Sequence, residues 1–236
     1  MVKIDLHLHT AEDPHDYIVH DAVALIDRAA ELGYGALAIT LHDRQLWERR
    51  IVDYARARGI VLLSGIERTV GGRHVLLINF PVAAEQVRTF DEIARLKAKC
   101  NGLVIAPHPF FPSPTCLGRA IGRYTDLFDA VEWSYFWTRG IDFNSRAARW
   151  ARTHGKALVG NSDLHDLRQL GRTYSTVEAE ADPDAICNAI REGRMLLRTS
   201  PVPLAELALT LGGMAWRDVR LKVAPPSPAR APSRSF

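Results

Sequence analysis

A chain of 236 residues with 30 basic and 27 acidic side chains carries a net charge of only +3. So even a balance gives no argument for a nucleic acid or an anionic membrane as partner, and 47% hydrophobic residues suffice for one large domain. Cys100, Cys116 and Cys187, without C-x-x-C spacing, argue against a disulfide framework and a thiolate zinc site. A reducing, cytoplasmic setting is expected. No apolar run reaches the ~18 residues of a membrane span, and residues 1–20 are too polar for a signal peptide.

Val2–Leu6 reads as a first strand, within Asp5-Leu6-His7-Leu8-His9. Residues two apart on a strand share a face, so His7 and His9 can hold one metal ion together. Asp5 shares that face and is placed to orient one of them. Asp21 N-caps a helix that Gly33 stops. Ala36–Thr40 is a second strand, Leu46–Arg58 a helix ended by Gly59, and Ile60–Ile66 and His74–Asn79 the third and fourth strands. Residues 83–99 are helical. Leu103–Ala106, Ala130–Trp133 and Ala157–Val159 complete seven strands, with helices around 141–154 and 184–192.

This alternation predicts an α/β fold with a mostly parallel sheet, closed as a small barrel over residues 1–200. Beyond Pro201 the pattern weakens. Leu204–Leu211 is one more helix or strand, residues 201–221 are an extension packed on the barrel, and residues 222–236, rich in Pro, Ser, Arg and Ala, read as a disordered tail.

The chemistry gathers at strand ends. Thr40-Leu41-His42-Asp43, Ser64-Gly65-Ile66-Glu67, Pro107-His108-Pro109 and Asn161-Ser162-Asp163-Leu164-His165 each close an apolar run with a histidine or a carboxylate. Helix capping explains one such carboxylate, not five strand ends offering nitrogen and oxygen ligands in turn. The prolines around His108 fix its backbone. His74 reads as a core or rim histidine and His154 as a cation at a helix C-terminus. His20 lies near the first loop.

In this order and spacing the motifs resemble the PHP (polymerase and histidinol phosphatase) family, over roughly residues 3–200. The resemblance implies a distorted TIM-like (β/α)7 barrel with two or three divalent ions (Zn, Mn or Fe) at the C-terminal strand ends, used mostly for phosphoester hydrolysis by a metal-bridged hydroxide. Carried over, it implies a first metal on His7, His9, Glu67 and Asp163. Glu67 then bridges to a second, which also takes His108. A third takes His42, His165 and a loop residue: His15 by spacing, with Asp13 or Asp16 as alternatives. The family's usual Thr-Asp-His-Asp is here Thr40-Leu41-His42-Asp43, and the strand at 130–133 offers Glu132 where the family often has a histidine or cysteine.

Catalysis is expected of Asp163 and His165, with Arg68 and Arg172 as phosphate-binding cations; Arg44 follows a ligand residue in the same way. The aromatic runs Phe110-Phe111 and Tyr135-Phe136-Trp137 lie at the same rim, which suits a nucleotide or other small phosphomonoester. The alternatives are a phosphodiester or amide bond as the target, or a metal-containing binding module without catalysis. Amide-cleaving barrels usually carry a metal-bridging lysine at a mid-barrel strand end, and no strand end here has one.

Overall fold

All seven apolar runs form strands, and two further strands follow them. The computed structural model describes residues 1–223, with the backbone alone for residues 214, 215 and 217–223; most of the expected tail at 222–236 lies outside the described residues. The strands are β1 (Val2–Leu8), β2 (Ala36–Ile39), β3 (Val61–Val70), β4 (Arg73–Ile78), β5 (Leu103–Ala106), β6 (Ala130–Ser134), β7 (Ala157–Asn161), β8 (Tyr174–Val177) and β9 (Met195–Arg198). The helices are α1 (Ala22–Glu31), α2 (Arg49–Ala57), α3 (Phe90–Lys97), α4 (Asn144–Thr153), α5 (Pro183–Arg191) and α6 (Leu204–Val223).

The helix expected over 83–99 is in fact a 3₁₀ turn, Val82–Gln86, followed by α3. Thr89 restarts it, because its hydroxyl caps the Glu92 amide while the Glu92 carboxylate returns to the Thr89 amide. Asp21 caps α1 through the Ala24 amide, as its position suggested.

The strands form one sheet in the order β7-β6-β5-β4-β3-β2-β1-β8-β9. β1–β2, β2–β3, β5–β6 and β6–β7 are parallel. β3–β4, β4–β5, β1–β8 and β8–β9 are antiparallel, so the sheet is mixed rather than mostly parallel. The first reversal has a local cause. Gly71 and Gly72 have φ of 56° and 73°, and a two-residue turn with both φ positive joins antiparallel neighbours.

The sheet curls until β7 meets β1, giving a nearly closed barrel. Leu8 and Leu164 form a parallel bridge. The His9 amide donates to the Leu164 carbonyl (3.1 Å) and the Leu164 amide to the His7 carbonyl (3.2 Å). Asn161 Oδ1 accepts the Leu6 amide (3.0 Å), and the Asp5 carboxylate accepts the Ser162 and His7 amides. Burial pushes the Asp5 carboxyl up to about 7, against the pull of those bonds. Asp5 therefore orients backbone at the seam rather than an imidazole.

β1 also carries an irregularity between Asp5 and Leu8. Ile4 and Leu6 join the core cluster shared with α5, whereas Leu8 joins the one under α1 and α2. The inside–outside alternation has reversed, and His7 and His9 turn toward the side that Ile4 and Leu6 faced.

Below the bridge, β8 and β9 pack across β7. The Gly160 amide donates to Ser175 Oγ (2.8 Å), and a Cβ on Gly160 would stand 2.9 Å from the Tyr174 carbonyl oxygen and 2.2 Å from Leu197 Cδ1. Leu197 can rotate away; the carbonyl cannot. Gly160→Val is therefore expected to lower unfolding free energy by about 1–3 kcal/mol, measured by urea denaturation. An unchanged midpoint would show that β8 does not press on β7.

Candidate metal centre

Each strand-end motif delivers its side chain to one place, at the C-terminal ends of the parallel strands. At its middle is Glu67 on β3, 1% exposed. One carboxylate oxygen, Oε2, lies 3.2 Å from His7 Nε2, 3.4 Å from His9 Nε2 and 3.1 Å from His42 Nε2. The other, Oε1, lies 2.7 Å from His74 Nδ1 and 3.5 Å from His108 Nε2. Asp163 adds a second carboxylate, with Oδ1 3.4 Å from His7 Nε2 and 3.6 Å from His9 Nε2, and Oδ2 3.9 Å from His108 Nε2. Three non-glycine residues of this rim, Asp43, His108 and Asp163, have positive φ (56°, 28° and 48°). Such backbone is costly for residues with a Cβ, and it collects where a site fixes its geometry.

A further set of carboxylates fixes the rings. His7 Nδ1 donates to Glu132 Oε1 (2.8 Å), which also takes Asn161 Nδ2 (3.0 Å); Glu132 Oε2 takes the His108 amide (2.8 Å). Glu132, fully buried, thus holds His7 with Nε2 turned to Glu67. Asp13 does the same for two rings at once: its Oδ2 accepts His9 Nδ1 (3.0 Å), His42 Nδ1 (3.0 Å) and the His42 amide (2.9 Å). Its Oδ1 accepts the His15 and Asp16 amides. Every lone pair of Asp13 is engaged, so it positions histidines. His108 Nδ1 meets Cys116 Sγ at 3.2 Å, and His20 donates to the His9 carbonyl.

The loop after His9 thus departs from the spacing-based expectation. His15 points outward, its side chain 59% exposed and nearest Asp43 at 3.8 Å. Asp16 is the loop residue that reaches the cluster, with Oδ2 3.0 Å from His165 Nε2 and 3.5 Å from His42 Nδ1. Leu41 fills the core under α1 and α2, and the His42 ring takes its carboxylate partner from Asp13 instead. His74, read from the sequence as a core or rim histidine, sits against Glu67. Its signal was the Gly71-Gly72 turn: in that hairpin Glu67 faces Leu76 and Thr69 faces His74, which sets His74 diagonally beside Glu67 on one face.

Neither expected phosphate-binding arginine lines the cleft. Arg68 pairs with Asp43 and donates to the Val87 carbonyl. Arg172 pairs with Glu206 (3.0 Å) and donates to the Pro201 carbonyl, tying α6 to the barrel. Arg44 reaches the Glu12 carbonyl.

These groups fit divalent ions. His7 Nε2, His9 Nε2 and Glu67 Oε1 are buried and make no hydrogen bond. Polar atoms in that state are costly unless something else binds them. Burial draws the His7 imidazole down, but Glu132, Asp163 and Glu67 outweigh it and raise it to about 10. The same histidines hold Asp163 and Glu67 well below the usual carboxylate range, against their burial. So much negative charge attracts cations, and nitrogen with oxygen donors suits Zn, Mn or Fe(II). The close sets are His7–His9–Glu67, His7–His108–Glu132, His42–Glu67–His74, His9–Asp163–His165 and His9–Asp13–Asp16–His42; Glu132 and Asp13 join theirs through the bonds that orient the rings.

Residues 142–195 match a family model described as PHP-associated. The chain is similar to that family over this stretch. Among solved structures it is similar to a two-domain protein from Bacteroides vulgatus that contains a predicted PHP-like metal-dependent phosphoesterase (TM-score 0.67, 18% identity, 90% of this chain and 69% of that one). It is also similar to PsfC from Pseudomonas syringae (0.63, 17%, 92% and 98%) and to the lesion-specific endonuclease PfuEndoQ from Pyrococcus furiosus (0.57, 16%, 89% and 66%). At these identities the likeness is one of fold. A comparison with curated proteins found no match.

Asp13→Asn tests the ring-fixing role. Whichever way the amide turns, its NH2 confronts donors: two imidazoles and an amide on one side, two amides on the other. Metal affinity, measured by competition with a chromophoric chelator, is expected to fall about 10–100-fold with the circular dichroism spectrum retained. Unchanged affinity in the folded variant would remove Asp13 from that role.

Proposed function

We propose that this chain is a PHP-type, metal-dependent hydrolase of phosphoesters. The observation that carries the reading is the set of orphaned atoms around Glu67, at the floor of an open cleft of about 490 Å³. His42, Glu67, His74, His108, Asp163 and His165 all line that cleft, so a bound ester meets them directly. Glu67 with His7, His9, His42, His74 and His108, together with Asp163, His165 and Asp16, are the residues that would hold the ions. When bound, divalent ions there supply an acidified water and neutralise the charge that develops on a phosphoryl group.

The chain's own groups do the rest. Glu132 and Asp13 keep the His7 and His9 Nε2 lone pairs facing Glu67, so no imidazole needs to turn during the reaction. Asp163, anionic and lining the cleft, accepts the proton of the attacking water. His165, held between the Asp163 carbonyl (Nδ1, 2.9 Å) and Asp16 (Nε2, 3.0 Å), would complete the donor set, and the proton that Asp163 takes up passes to the departing alkoxide. The likeness in fold to an endonuclease supports no particular ester. Among the described residues no lysine lines the cleft, which favours phosphoesters over the amide reading. Also among the described residues, no helix is long and apolar enough to cross a membrane.

A panel of phosphomonoesters and diesters with added Mn or Zn is expected to release phosphate or cleave the diester. Glu67→Gln, of equal volume, should lower kcat/KM by about 10³-fold or more. No turnover of any ester by protein that retains its metals would overturn the reading.

A further inference from the structure

The cleft has two unlike halves. One is the floor of histidines and carboxylates. The other is an apolar wall of Phe111, Phe136, Ile141, Phe143, Leu207 and Leu211. Phe111 joins them: its ring stands edge-on to His108 (6.2 Å between centroids, 75°) and tilts against Phe143 (5.2 Å, 53°). The far side of the wall belongs to α6. Leu207 is buried with Tyr135, Phe136 and Val202, and Leu211 follows one turn later. α6 is held there by Glu206, which accepts from Tyr135 Oη (2.8 Å) and pairs with Arg172. The arginine expected to bind phosphate thus sets the position of the wall.

Two features show what the wall receives. Ile141 and Leu211 are 44% and 47% exposed, yet both line the cleft. Large apolar side chains left open to water in one concave patch mark a surface that a ligand covers. And among the described residues that line the cleft there is no lysine or arginine. A second or third phosphate lying over this wall would find no cation there to offset its charge.

We propose that the substrate is a monophosphate ester whose alcohol carries a large uncharged apolar group, aryl or branched alkyl, held between the Phe111–Phe143 pair and the leucines of α6. This rests on the phosphoesterase reading and narrows it. The phosphate sits on the histidine floor, and the wall takes the part of the alcohol away from the bond that breaks. A sugar phosphate or a nucleoside polyphosphate places polar or charged groups where the wall has nothing to pair with them.

The test compares alkyl phosphates of similar leaving-group reactivity, so that binding decides the order: 2-phenylethyl, hexyl and ethyl phosphate, with glycerol 3-phosphate and adenosine 5′-monophosphate as polar arms. The metal-loaded full chain is expected to show kcat/KM at least about 10-fold higher for 2-phenylethyl than for ethyl phosphate, mostly through KM. Leu211→Asp and, from the opposite rim, Ile141→Asn are expected to bring that ratio toward one; both side chains are solvent-exposed, so both variants should fold. Equal or better hydrolysis of the ethyl, glycerol or nucleoside ester would overturn the inference and leave the phosphoesterase reading standing, as would a ratio that both variants leave unchanged. Phosphate release from none of the esters would overturn both.

Discussion

Five imidazoles stand around one buried carboxylate. His7, His9, His42, His74 and His108 all place a ring nitrogen within 3.5 Å of Glu67, and the rest of the site depends on that contact. A carboxylate at 1% exposure survives only with compensating positive charge. Protons on the histidines could supply it, but each proton would occupy the nitrogen that faces Glu67. Glu132 and Asp13 each accept an Nδ1 proton on the far side of a ring, which favours the charged imidazole, but they leave Nε2 facing inward, where a cation can displace its proton. Cations shared between the rings and the carboxylates would meet the demand of every group at once, and that requirement, more than any single motif, marks this as the candidate metal centre.

The fold serves that contact. Glu67 and His74 come from one hairpin, His42 from the bridge between the β2 end and β3, His108 from the end of β5, and His7, His9 and Asp163 from the seam where β1 meets β7. Had β1 kept its alternation, the first two histidines would face the other way. The irregularity in β1 and the positive φ at Asp43, His108 and Asp163 are local distortions at the strand ends, and the barrel below them is ordinary apolar packing. Cost is concentrated where side chains must converge, and the core clusters offset it.

Much of this was legible in the chain, and the gaps have physical causes. The seven strands announce themselves because each is an apolar run bounded by turn residues. β8 and β9 do not: Tyr174–Val177 and Met195–Arg198 are four residues each, carry polar or charged side chains, and are fixed by pairing with β1 and by packing across β7 at Gly160. His7, His9, His42, Glu67, His108, Asp163 and His165 were each marked by a strand end. His74 was hidden because it begins a strand, and only the antiparallel register across Gly71-Gly72 brings it to Glu67. The loop after His9 could not be resolved from spacing, since His15, Asp13 and Asp16 lie within four residues and the turn decides which points inward. Arg68 and Arg172 show the converse. Their place beside the motifs was visible, but not the partners, Asp43 and Glu206, that employ them elsewhere.

The most direct test of the central claim is anomalous diffraction from crystals of the metal-loaded chain, recorded at the absorption edge of the bound element. Peaks in contact with Glu67 on both of its oxygens, shared with His7 and His9 on one side and with His74 or His108 on the other, are the predicted result. A loaded protein whose anomalous peaks lie away from Glu67, or a Glu67→Gln variant with the same peaks at the same occupancy, would contradict the account.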